Sequence, residues 1–153
     1  MSQENKRRRE AELYQEIYKN VTMGAESLTD LIARTESGEL KTELGVELAQ
    51  YESLAKEAKK ALLDMGVTPK EEKLVARLSA KAGLRMNTML DATPSHVAQM
   101  VIEGSTMGTT DLYRKLNEFR AETESDGESR AVALARRAVD FEENCIEKLK
   151  SYL

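Results

Sequence analysis

The sequence predicts an all-α protein of four long amphipathic helices, arranged as two helical hairpins joined by helix. Three observations carry this. Apolar residues recur at the 3.6-residue spacing of a helix face almost from end to end. The chain holds only 2 prolines, so few positions interrupt helix. Hydrophobic residues make up 41% and charged residues 33%, the balance of helices with one buried and one wet face. At 153 residues the chain fits one domain, 1–153.

The first helix is expected over about Gln3 to Glu36, with Leu13, Ile17, Val21, Gly24, Leu28 and Leu31 as its buried stripe. Ser37-Gly38 supplies a stop in which glycine is free to take the left-handed conformation, and a second stripe from Leu40 through Leu44, Leu48, Tyr51, Ala55 and Ala58 to Leu62 follows at once. A turn this short makes the two helices antiparallel. Gly66 ends the second helix. Thr68-Pro69-Lys70-Glu71 reads as the next start, with Thr68 as cap and proline at the first helical position. Met86, Thr93, Met100 and Met107 lie seven apart, so the face keeps its phase across Pro94. The third helix is therefore expected from about Pro69 to Thr123, bent near Pro94. Ser125-Asp126-Gly127-Glu128 reads as a turn, and Leu134, Ala138, Phe141, Cys145, Leu149 and Tyr152 form the stripe of the last helix.

An internal echo supports two hairpins. Val21-Thr22-Met23-Gly24 is matched by Ser105-Thr106-Met107-Gly108, and Tyr51-Glu52 by Phe141-Glu142. Mid-helix glycine costs roughly 1 kcal/mol relative to alanine, so Gly24 and Gly108 are expected where the first and third helices approach closely.

Composition excludes several functions. A net charge of -4 denies the chain the broad basic field of a nucleic-acid binder, and Lys6-Arg7-Arg8-Arg9 is offset by Glu4, Glu10 and Glu12 at helical spacings. No uncharged run approaches membrane-spanning length, and the residues after Met1 lack the apolar core of a signal peptide, so a cytoplasmic protein without membrane contact is expected. The lone Cys145 can form no intramolecular disulfide and reads as an inert buried thiol. Glycines standing singly inside helices offer no phosphate loop. The five tyrosines lie at or beside the stripes, where their hydroxyls are expected at the rim.

A hairpin, a long crossover and a second hairpin resemble the ferritin-like superfamily of four-helix bundles. That resemblance covers the whole chain and implies two inward Glu residues plus two Glu-x-x-His motifs around a pair of iron ions. Glu52-Ser53-Leu54-Ala55 and Glu142-Glu143-Asn144-Cys145 fall in the Glu-x-x-His slots without imidazole, Glu26 matches the first-helix carboxylate, and Thr110 stands at its echo. The segments Tyr18–Gly24, Met86–Asp91 and Ser95–Gly108 also look like a group of small helical proteins of anaerobic bacteria, a resemblance that implies a standalone cytosolic protein but no activity.

The expected function is non-enzymatic: a cytoplasmic helical bundle acting in homo-oligomeric assembly or protein interaction, with no cofactor and a degenerate ferritin-like metal site. The alternative is a metal-binding or storage protein, holding iron or manganese at Glu26, Glu52 and Glu142, or copper at His96 and Met100. Otherwise Glu52 and Glu142 edge the interior and reach solvent or a base such as Lys56 or Arg137, and the methionines, Met86, Met89, Met100 and Met107, simply fill core. A homodimer is expected through the third helix, whose assumed length would overhang its neighbours.

Overall fold

A computed structural model of the chain describes residues 2–70, 92–123 and 129–153. Its regular elements are α1 (Gln3–Arg34), α2 (Gly38–Asp64), α3 (Pro94–Thr123), α4 (Arg130–Leu149) and a closing 3-10 turn (Lys150–Tyr152). No strand occurs among the described residues.

Each boundary has a local cause. Ser2, Ser37 and Ser129 cap α1, α2 and α4, each hydroxyl accepting from the amide three residues on, in Asn5, Leu40 and Val132. Ser37-Gly38 is thus a start rather than a left-handed stop, and α1 ends instead at Thr35, whose hydroxyl donates back to the Leu31 carbonyl at 2.6 Å. Gly66, at φ 73, does take the left-handed conformation. Val67 N–H donates to Leu62 O and Gly66 N–H to Leu63 O, the paired bonds of a Schellman ending.

The expected long third helix is not continuous. Pro69 and Lys70 are not helical, and neither are Ala92 and Thr93. Pro94 opens α3 instead of bending it, because proline suits a first helical position whose amide needs no partner. Thr93 is the cap, its Oγ1 accepting from His96 N at 3.4 Å. The periodic phase across Pro94 misled because a helix start and a kink preserve it equally. At 30 residues α3 is about 45 Å long, like α1 and α2, and the overhanging face offered as a dimer surface, Leu74 to Met89, lies outside the described residues. The remaining expectations for Glu71 to Asp91, including Met86 and Met89, and for the 124–128 turn lie outside the described residues.

Polar contacts fix the helix directions. Arg7 Nη2 donates to Met65 O at 2.9 Å, and Arg9 Nε pairs with Glu122 at 2.8 Å. The start of α1 therefore lies beside the ends of both α2 and α3. Arg137 of α4 meets Glu57 of α2 at 2.8 Å, and Lys148 meets Glu43 at 3.9 Å, so those two helices are antiparallel as well. The order is up, down, down, up, which places the end of α2 and the start of α3 at opposite ends of the bundle. Most of the expected stripe residues of α1, α2 and α4 are buried, including Leu13, Ile17, Leu28, Leu44, Leu62 and Leu149, whereas Gly24, Leu48, Ala55, Phe141 and Tyr152 are half-buried.

Candidate functional site

Six polar or charged residues are buried among the described ones, and five of them lie in the bundle interior: Asn20, Glu47, Ser105, Thr109 and Glu142. Two similar crossings organise this interior. The Tyr51 ring of α2 lies on Gly24 of α1, where a built Cβ would come within 2.5 Å of the ring. Its hydroxyl continues to a hydrogen bond with Ser105 of α3. In the second hairpin Glu142 of α4 lies on Gly108 of α3 and reaches α1, where Asn20 Nδ2 donates to its Oε1 at 2.6 Å. A Cβ on Gly108 would stand 2.5 Å from both Asn20 Oδ1 and Glu142 Oε2.

The repeat thus pairs Tyr51 with Glu142, one residue off the Tyr51–Phe141 match that the sequence suggests. Tyr51 and Phe141 instead touch each other edge to face, with centroids 4.8 Å apart. The glycines are required by side chains crossing above them, and Gly24 faces α2 rather than α3.

Burial governs the electrostatics. Glu142 is 1% exposed, and its Oε2 has no hydrogen-bond partner. Desolvation lifts its carboxyl to about 8 against the pull of the Asn20 hydrogen bond, with Asp111 adding to the rise. Glu47 is 2% exposed, and neither of its oxygens meets a partner in hydrogen-bond geometry. Burial, then the charge of Glu43, raises it to about 7, while the adjacent Cys145 thiol and Lys148 act the other way. Burial and these carboxylates push the Cys145 thiol and the Tyr51 phenol up as well, which leaves the thiol without nucleophilic character.

The three predicted carboxylates, Glu26, Glu52 and Glu142, do not form one group. Glu52 is exposed and Glu26 is half-buried on α1, while Glu142 is spoken for by Asn20. Glu142 does not reach solvent or Arg137, as one expectation had it, because Arg137 is held by Glu57 through two bonds of 3.0 and 2.8 Å. His96 and Met100 are half-buried at the start of α3. Among the described residues no three His, Cys, Asp or Glu side chains form a group that could hold a metal ion. Met107 is 61% exposed and so is not core. Tyr51 is buried at the centre and not at the rim, whereas Tyr113 is a rim residue, its hydroxyl donating to Glu143 at 3.0 Å.

Sequence reasoning missed Asn20 and Glu47. The signal was present for Glu47, which falls in phase with Leu40, Leu44, Tyr51 and Leu54. On the surface, Arg9 pairs with Glu12, one of the acids expected to offset the basic run, and also with Glu122 of α3, which the local spacing does not show. No described helix is long and apolar enough to cross a membrane. The chain matches no protein-family model, no curated protein and no solved structure.

Proposed function

We propose that the chain is a ferritin-like four-helix bundle that performs no catalysis and acts in the cytoplasm through homo-oligomeric assembly or protein interaction. The up, down, down, up helix order supports the ferritin-like reading. The observation that carries the functional half is the Asn20–Glu142 hydrogen bond closed over Gly108. Glu142 is one of the carboxylates that the ferritin-like resemblance would assign to metal, and this bond ties it to an amide instead.

Assembly would draw on exposed apolar side chains, of which Met107 and Tyr113 stand on α3, and Val46 and Leu63 on α2. Two measurements on protein purified without chelator or affinity metal test the reading. Light scattering at micromolar concentration is expected to give a dimer mass, and a monomer mass removes the assembly proposal. Elemental analysis is expected to find no stoichiometric metal. Iron, manganese or copper near one equivalent would replace this function with metal binding.

A further inference from the structure

We propose that a proton on Glu47 holds the first half of α2 against α4, so that losing it opens this seam and regaining it closes the seam. The inference does not depend on whether the bundle assembles. Three contacts describe the seam. Arg137 and Glu57 pair at one end, Tyr51 and Phe141 meet in the middle, and at the other end Lys148 Nζ lies 3.9 Å from Glu43 Oε1. Between the ring contact and the Lys148 end sits Glu47, buried beside the weakly polar Cys145 thiol, with neither oxygen meeting a partner in hydrogen-bond geometry.

The groups acting on Glu47 are Glu43 one turn back on its own helix, and Cys145 and Lys148 on α4. Tyr152 faces Glu39 and Glu43 from the closing turn, and Tyr51 lies one turn onward on α2. Lys148 offsets a charged Glu47 only in part, since its side chain is 64% exposed and directed to Glu43. A neutral carboxyl tolerates this position. An anion there is shut off from solvent, has no cation bonded to it and stands beside a second carboxylate, so ionisation drives water into the seam. The burial and charge that lift Glu47 to about 7 place the change near neutrality.

Hydrogen exchange tests this, with rates corrected for the intrinsic effect of pH. Between pH 5 and pH 8, amides at 43–51 should lose about a hundredfold of protection, the equivalent of two pKa units, relative to those at 6–12 in the first turns of α1, which lie at the far end of the bundle from Glu47 and away from Glu142. In Glu47→Gln the relative loss should vanish. Equal loss in both stretches, no loss, or the same loss in Glu47→Gln would each overturn the proposal. If that variant does not fold, the Glu47 carboxyl carbon is followed by NMR in the unmodified protein. A midpoint near 7 coinciding with the exchange change supports the device, and a midpoint at the ordinary glutamate value defeats it.

Discussion

Gly104 and Gly108 sit one turn apart on α3, yet substitution should move them in opposite directions. Nothing lies within 4 Å of a Cβ built on Gly104, so Gly104→Ala should stabilise the protein by about 1 kcal/mol through helix propensity alone. At Gly108 the methyl would meet Asn20 and Glu142 at 2.5 Å, and neither can retreat without breaking a buried hydrogen bond. Gly108→Ala should therefore destabilise by roughly 2–4 kcal/mol, the cost of overpacking plus an orphaned polar group. Urea denaturation of the two variants measures both signs. Periodicity could mark both glycines as needing a reason, but it could not say which one had a crossing above it. That depends on Asn20 and Glu142, 122 residues apart, whose meeting no local pattern encodes.

At the scale of elements, the buried stripes were legible because 3.6-residue spacing is a direct record of which face is covered. Gly66 was legible for a similar reason, since a left-handed ending admits few other residues. Pro94 was not, because the same residue type serves a helix start and a bend, and the choice turns on the backbone at Ala92 and Thr93. The cap assignment makes this testable. Thr93→Ala should remove the acceptor for His96 N and cost about 1 kcal/mol in thermal or urea unfolding. A side chain in the middle of a bent helix would instead tolerate alanine with little change or a small gain.

Over the whole molecule, the buried acids set how stability follows pH. Burial raises Glu47 and Glu142 to about 7 and about 8, from the ordinary glutamate value of 4.5. The folded state therefore binds more protons than the unfolded chain between those limits, and stability falls as pH rises. From these two groups the loss should begin near pH 4.5, run at about 1.4 kcal/mol per unit for each, and level off above pH 8. Melting temperatures from pH 4.5 to 9 check the slope, which should roughly halve in Glu142→Gln. Neither the net charge of -4 nor the composition foretells this behaviour, because it arises from where two of the acids are buried.

The direction of α1 and α4 has a mechanical consequence. The two helices run the same way, with Tyr14 near Arg130 at one end and Tyr152 near Glu39 at the other. Ser2 and Leu153 are thus separated by nearly the full length of a rod about 45 Å long. Tension applied between the two termini slides the first and last helices past each other in shear, so their side-chain contacts bear the load together rather than peeling apart one turn at a time.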